Sequence, residues 1–260
     1  MINERIMRRV KIMRLRTTAL ARVKKIRESI DILKDADILV LGSAPHPVLP
    51  NGAEDMLLVC CNGSAANAKQ LGMKSPVMTV VDFELIDPVI AFSKSVRSDI
   101  IINKILADLD LGILVATQSN PAIGSAPEIL NAHFNRYVSI DQFARLKILD
   151  IISGTDKLER DVRLSLCSTG AFAVAVSLFL GARSVHISGF TLVRNVNDNV
   201  KMHFYEDSEL SEASSEWDTR SHSMADSALI TLSVINGYII RTHERDLLPL
   251  TQNWGNKGLD

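Results

Sequence analysis

The sequence predicts an α/β protein with one open, doubly wound and mostly parallel sheet. After residue 35, short apolar runs that do not alternate between polar and apolar residues are each closed by Gly, Asn, Ser or Pro. Segments with helical spacing lie between several of these runs. Uniformly apolar strands interleaved with helices are typical of a parallel sheet that is covered on both faces. The length of 260 residues and the 47% hydrophobic content suit a single globular domain.

A basic arm precedes this domain and comprises residues 1–35. It holds eleven Lys or Arg and four Asp or Glu residues, a net charge of +7, whereas the whole chain has a net charge of -1. Apolar residues recur at spacings of three, four or seven, which predicts one face of an amphipathic helix. They are Ile6, Val10, Met13, Leu20, Val23, Ile26, Ile30 and Leu33.

Three uses of the basic arm stay open from the sequence. It binds an anionic membrane surface, it pairs with a second copy in a homo-oligomer, or it covers the domain with a solvated outer face. Nucleic acid is a poor candidate partner, because the remainder of the chain is acidic and only 5% of the residues are aromatic.

The domain itself, residues 36–260, begins with a strand and a Gly/Ser/Pro loop in "ADILVLGSAPHP". A second strand, an Asn62-Gly63 turn and a short helix ending near Gly72 follow in "MLLVCCNGSAANAKQLG". Three more strands are predicted in "PVMTVVD", "LGILVATQS" and "RYVSI". Together these runs supply five strands of the sheet.

The second half of the domain opens with a strand in "LSLC", followed by a loop and a helix from about Thr169 to Leu180. Gly181 ends this helix and a strand covers 184–188. A polar, acidic stretch at about 191–220 then follows a strand end, where open α/β sheets bind ligands, and we interpret it as a lid, with simple disorder as the alternative.

A last helix is predicted from Met224 to the Asn236-Gly237 stop. Ser223 is its expected N-cap and Asp226 its capping-box partner. His222 then lies one residue outside the helix, where the positive end of the helix dipole disfavours its protonation. A neutral histidine can accept a proton from a hydroxyl group, although one that only packs or bonds to a carbonyl is an equally simple interpretation.

Three loops with small residues follow predicted strands and are candidate ligand contacts. Their residues permit close backbone approach or supply hydrogen-bond donors, and a helix N-terminus after Thr169 would favour an anion. None of them matches the dinucleotide fingerprint or the phosphate loop of nucleotide triphosphatases. The candidates are Gly42, Ser43, Asn62, Gly63, Ser168, Thr169 and Gly170.

Several other classes of protein are disfavoured. The six histidines form no i, i+4 pair and no D-x-D run is present, so a metal site is not expected. No G-x-S-x-G elbow of a serine hydrolase occurs. Three cysteines without Cys-x-x-Cys spacing suit a reducing cytoplasm, and no apolar run approaches the roughly 20 residues of a membrane span.

The order of these blocks resembles a known group. The Gly/Ser/Pro loop, "CNG", "STGAFAVAVSLFLGARSVHISGF" and "HSMAD" are similar to the bacterial sialyltransferases that act on lipooligosaccharide, and to related flagellin and surface-polysaccharide glycosyltransferases. The resemblance covers roughly residues 36–245. It implies a Rossmann-like, metal-independent enzyme without a cofactor, which transfers a nonulosonic acid from a CMP-sugar to a glycan or glycolipid acceptor with inversion.

Residue roles follow from the same resemblance. It implies that His222 is the general base, that Asn62 binds the nucleotide, that Ser43 is the polar residue of the first loop, and that Ser168, Thr169 and Gly170 hold the donor. The family places two lid tyrosines on the leaving phosphate. This chain has Tyr205 and, near the other place, His203, with Lys201 also close in sequence.

These departures leave two matters open. The donor sugar is sialic acid, Kdo or a similar ulosonate, and a nucleotide-binding or scaffold protein that keeps the fold without turnover is the alternative function. The basic arm lies outside the resemblance. With this arm on an anionic surface, we expect a cytoplasmic enzyme that is peripheral on the inner membrane and acts in lipopolysaccharide biosynthesis.

Overall fold

The computed structural model describes residues 18–82, 105–117, 130–155, 167–190 and 219–252, with side chains from residue 223 onward in the last segment. The predicted lid up to residue 218 and most of the strand predicted in "LSLC" lie outside the described residues. So do residues 1–17 of the basic arm.

The described residues form a seven-stranded sheet in which every pair of neighbouring strands is parallel. Its order is β5-β4-β3-β2-β1-β6-β7. The strands are β1 (Asp37–Leu41), β2 (Leu57–Cys61), β3 (Met78–Asp82), β4 (Ile113–Thr117), β5 (Arg136–Ile140), β6 (Ser184–Ser188) and β7 (Ile240–Thr242). The first six of these strands were predicted from their apolar runs and are confirmed.

Helices cover this sheet. They are α1 (18–29), α2 (Ser64–Gln70), α3 (Gln142–Ser153), α4 (Thr169–Phe179), α5 (Thr219–Ile235) and α6 (Leu248–Thr251), with a short 3-10 helix at Ala53–Asp55. Within the part of the chain that the structure describes, none of these helices combines the length and the hydropathy of a membrane span.

The two faces of the sheet carry separate cores, which confirms the doubly wound α/β class. Ile38 and Val40 of β1 pack with buried residues of α1, α3, α4 and α5. Leu39 and Leu41 point to the other face and pack with Ala65 of α2 and with the segments around residues 106–111. Alternate residues of one strand face opposite sides, so a strand buried on both faces must be apolar throughout.

The order of the strands reverses beside β1. From β1 the chain moves outward through β2 to β5, and then returns to place β6 on the other side of β1. Helices that connect parallel strands run antiparallel to them, so α2, α4 and α5 begin at the carboxyl edge of the sheet. Ligands of open α/β sheets bind at this edge, next to the reversal.

Helix α1 belongs to the core of the domain. Val23, Ile26, Ile30 and Leu33 are buried with the residues of α4 and the sheet, and Arg22 forms an ion pair with Asp141 at the start of α3. Over residues 18–33, the apolar face of the basic arm therefore covers the domain. Within residues 18–33, only the outer face of the helix is therefore available for membrane binding or for pairing with a second copy.

Two expectations about the helices need correction. Helix α5 begins at Thr219, so Ser223 is not its N-cap and His222 lies within its first turn. Asp226 is not a capping-box partner either, because its carboxylate accepts hydrogen bonds from Ser168 instead. The predicted stop is confirmed, since α5 ends at Ile235 and Gly237 has a φ of 90°.

Substitution of two isoleucines tests the assignment of α1 and its following turn to the core. Ile30 is 1% exposed and Ile32 is 47% exposed. Ile30→Ala should lower the free energy of unfolding by about 2–5 kcal/mol, because it leaves a cavity. Ile32→Ala should cost less than about 1 kcal/mol. Urea denaturation of both variants measures the difference, and equal losses would contradict the assignment.

Candidate functional site

The loops after β1 and β6 meet where the strand order reverses. The N–H of Gly42 donates to the Ser188 carbonyl at 2.7 Å, and the N–H of Ala44 donates to the Gly189 carbonyl at 3.0 Å. A Cβ on Gly42 would lie 2.0 Å from the Gly189 oxygen. The glycine at position 42 is therefore required by the contact between the two loops themselves.

The ring of Phe190 explains another of the predicted glycines. A Cβ on Gly170 would lie 2.9 Å from this ring and 3.6 Å from the Cys61 sulfur, and one on Gly42 would lie 3.0 Å from the ring. Gly42 and Gly170 thus flank a half-buried aromatic side chain that follows β6. Their small size is explained by packing, with no need of a ligand.

Asn62 ends β2 with a backbone φ of 47°, in the left-handed region that Asn tolerates. Its N–H donates to the Val80 carbonyl at 2.9 Å, and its side-chain Oδ1 accepts from the N–H of Asp82 at 3.0 Å. The bond to Asp82 identifies the oxygen of the amide and leaves Nδ2 without a partner among the described residues. Nδ2 is thus a donor that a ligand at this edge can use.

Helix α2 fixes the loop after β1 from the other side. The Ser64 hydroxyl donates to the Leu41 carbonyl at 2.7 Å and accepts from the Cys61 N–H at 2.8 Å. The Asn67 amide donates to the Ala44 carbonyl at 3.0 Å. Two further predicted residues belong to this region: the half-buried Ser43 in the loop and the buried Gly63 before α2.

Ser168 is the N-cap of α4, and its hydroxyl is already used by the protein. The Ser168 oxygen accepts from the Ala171 N–H at 3.1 Å and donates to Asp226 at 2.6 Å. In contrast, neither the Thr169 hydroxyl nor the N–H groups of Thr169 and Gly170 have a hydrogen-bond partner among the described residues. Of the predicted donor-binding group, these are the free donors at the N-terminus of α4.

His222 lies one helical turn before Asp226. Positions four apart share a face of a helix and are about 6 Å apart along its axis. Since Asp226 contacts Ser168, position 222 lies on the same face of α5 and nearer to the carboxyl edge.

Arg145 was not predicted from the sequence, yet it is a central residue of this edge. It is 2% exposed, and its guanidinium donates to the Thr117 hydroxyl at 2.8 Å and to the Cys167 carbonyl at 2.5 Å. It also lies over the Phe172 ring, 4.7 Å from the centroid. Arg145 thereby ties α3 to the end of β4 and to the start of α4.

Glu244 also escaped prediction, because it follows the short strand β7, which was not predicted. Its carboxylate accepts hydrogen bonds from the N–H groups of Gly189 and Phe190. Burial raises the pKa of Glu244, although these backbone bonds favour the charged form. The two backbone N–H groups after β6 are therefore already bound by a carboxylate of the protein itself.

Buried thiols lie beside the loops. Burial raises the pKa of Cys61 to about 12 and that of Cys167 to about 11, and it also raises the pKa of Cys60. All three cysteines are free and buried. Because the thiolate is the reactive form, these residues are structural and not nucleophilic.

The predicted lid residues are not part of the described structure. His203, Tyr205 and Lys201 belong to the predicted lid and lie outside the described residues. Within the described ranges, no three His, Cys, Asp or Glu side chains converge as a metal site requires. Metal independence stays a prediction.

Comparison with known proteins bears on the fold. No protein-family model matches this chain, and no curated protein sequence matches it significantly. The solved structure of the monofunctional α-2,3-sialyltransferase Cst-I from Campylobacter jejuni aligns with a TM-score of 0.51 and 13% identity, over 88% of this chain and 84% of that chain. The sialyltransferase CstII from the same organism, in complex with the substrate analogue CMP-3FNeuAc, aligns with a TM-score of 0.47 and 15% identity, over 84% of this chain and 89% of that chain. The similarity to Cst-I confirms the predicted resemblance at the level of the fold.

Thiol labelling tests how closely this edge is packed. At pH 8 the native protein should react with a chromogenic disulfide reagent far more slowly than free cysteine does, since its thiols are buried and protonated. All three thiols should react at once in denaturant. A thiol that reacts rapidly in the native protein would contradict the described burial of that residue.

Proposed function

We propose that this protein is a glycosyltransferase that transfers an ulosonic acid, such as sialic acid, Kdo or a similar sugar, from its CMP-activated form to a glycan or glycolipid acceptor. One observation carries the proposal: free hydrogen-bond donors on Asn62 and at the N-terminus of α4 meet at the carboxyl edge, beside the strand reversal. The fold shared with Cst-I, which its name describes as an α-2,3-sialyltransferase, supports the choice of reaction.

These hydrogen-bond donors can stabilise CMP as it leaves. When the bond between the sugar and phosphate oxygen breaks, negative charge develops on the phosphate. The N–H groups of Thr169 and Gly170, the Thr169 hydroxyl and the positive end of the α4 dipole can stabilise that charge. The Asn62 Nδ2 is a donor of the kind that orients a polar nucleotide group. The lid residues Tyr205, His203 and Lys201 are further candidates for the phosphate.

His222 is our candidate for the general base. The acceptor hydroxyl must lose its proton as it attacks the anomeric carbon, and attack from the side opposite CMP inverts the configuration. The first turn of α5 lies at the carboxyl edge, and its dipole disfavours a charged imidazole. A neutral imidazole at this position can accept the proton, which is worth about 10² to 10⁴ in rate.

A pair of substitutions at position 62 tests the nucleotide site. Asn62→Asp keeps the oxygen that accepts from the Asp82 N–H and tolerates the left-handed backbone, but it loses the amide donor. It should weaken CMP binding by about tenfold or more, with little loss of stability. Asn62→Ala should lose both affinity and stability. Calorimetric titration with CMP and thermal unfolding measure the two effects, and unchanged CMP affinity in Asn62→Asp would contradict the assigned role.

The reaction is tested by incubating the protein with several CMP-ulosonates and measuring CMP release, with and without glycolipid acceptor. Release that depends on acceptor is expected. His222→Ala should reduce turnover by about 10² to 10⁴ while CMP affinity is kept. Normal turnover in this variant would overturn the base assignment. CMP binding without any turnover in the native protein would favour the alternative of a non-catalytic nucleotide-binding protein.

A further inference from the structure

The peptide group between Cys167 and Ser168 is held at both ends by charged side chains. Its carbonyl oxygen accepts from the Arg145 guanidinium at 2.5 Å. Its N–H donates to Asp226 Oδ1 at 2.7 Å. A cation therefore lies on the oxygen of this peptide and an anion on its nitrogen, which matches the direction of the peptide dipole.

Both charged groups are deeply buried, which makes their hydrogen bonds strong. Arg145 is 2% exposed and Asp226 is 4% exposed. Burial has the largest effect on the pKa of the Cys167 thiol and raises it. The charge of Arg145 lowers this pKa and the charge of Asp226 raises it. Hydrogen bonds to ionised groups in a dry interior are shorter and stronger than neutral ones.

The same carboxylate holds the N-cap as well. Asp226 Oδ2 accepts from the Ser168 hydroxyl, which in turn accepts from the Ala171 N–H. The direction of the first turn of α4 therefore depends on Asp226 through two atoms of Ser168. The free N–H groups of Thr169 and Gly170 come next in the chain, so their direction depends on the same contacts.

We infer that Arg145 and Asp226 are positioning residues that clamp the Cys167–Ser168 peptide, aim the N-terminus of α4 at the donor phosphate and couple it to the helix that carries His222. This inference rests on the proposed function. Asp226 follows His222 by one turn of α5, so a single carboxylate sets the distance between the base helix and the donor-binding turn. Neither residue needs to contact the substrate.

The test compares Asp226→Asn with Asp37→Asn in the full-length protein. Asp37 is the control, because its carboxylate, like that of Asp226, accepts from a serine hydroxyl, that of Ser184, but it is paired with Arg183 at the amino edge of the same sheet. Hydrogen exchange of the peptide covering the start of α4 and the affinity for CMP are measured for both variants, at a temperature where each is folded.

Asp226→Asn should speed exchange in the first turn of α4 and raise the Kd for CMP by about tenfold, because the charged acceptor of the Ser168 N–H is lost. In turnover, the KM for the CMP-sugar should rise while the KM for the acceptor stays within about twofold. Asp37→Asn should change neither the exchange of α4 nor the Kd for CMP. A stability loss in Asp226→Asn with unchanged Kd would overturn the inference.

Arg145→Met and the double variant with Asp226→Asn provide a second measurement. Since Arg145 and Asp226 hold the same peptide, their effects on the Kd for CMP should be non-additive. The double variant should bind CMP with about the same affinity as the single variant that binds it more weakly. Full additivity would overturn the clamp. If Asp226→Asn speeds exchange but the native protein binds no CMP or CMP-sugar, the proposed function fails, and the role in donor binding fails with it. If Asp226→Asn leaves hydrogen exchange at α4 unchanged and the native protein binds CMP, only the clamp fails.

Discussion

The close contact between the backbones after β1 and β6 is the constraint on which the site depends. Gly42 and Gly189 approach so closely that neither position has room for a side chain without displacing the other loop. This contact joins the two strands that lie on either side of the reversal. The Phe190 ring that follows lies close to Gly42 and to Gly170 in the first turn of α4. A larger residue at position 42 would therefore displace the loop after β6 and the Phe190 ring.

Around that contact, the protein's own charged side chains bind several backbone groups. Glu244 binds the N–H pair after β6, Asp226 binds the N-cap of α4, and Arg145 binds the carbonyl before it. Each of these bonds is worth on the order of 1.5–3 kcal/mol, because one partner is ionised. Within the part of the chain that the structure describes, the donors without a partner at this edge are a small set of neutral groups on Asn62, Thr169 and Gly170. Such a set suits a substrate that brings its own negative charge.

Much of the fold was readable from local patterns. β6, for example, is a five-residue strand buried on both faces, and Gly181 marks the end of α4 before it. Helix α3 was missed although Asp141 is a standard N-cap and Ile148, Leu149 and Ile152 have helical spacing. Strand β7 has only three residues, of which Ile240 and Thr242 are buried. Such a short segment shows no recognisable pattern of apolar residues in the sequence.

Asp226 shows the limit of local rules most clearly. Ser223 and Asp226 have the spacing of a capping box, and that local interpretation was wrong, because Asp226 pairs with a serine 58 residues earlier in the chain. Nothing near position 226 in sequence identifies that partner. The choice between a local and a distant donor for this carboxylate depends on which N–H and O–H groups are buried near it, and burial is a property of the packed structure.

The pattern of apolar runs, small loops and turns was sufficient for the class of the fold and for the order, along the chain, of the strands and of the loops at its carboxyl edge. These features follow from the periodicity of strands and helices and from the restricted conformations of a few residues. The use of each polar group at that edge required the packed chain. Among the described residues, the Asn62 amide nitrogen has no hydrogen-bond partner and the Ser168 hydroxyl has two, because these partners are assigned by contacts between segments that are distant in sequence.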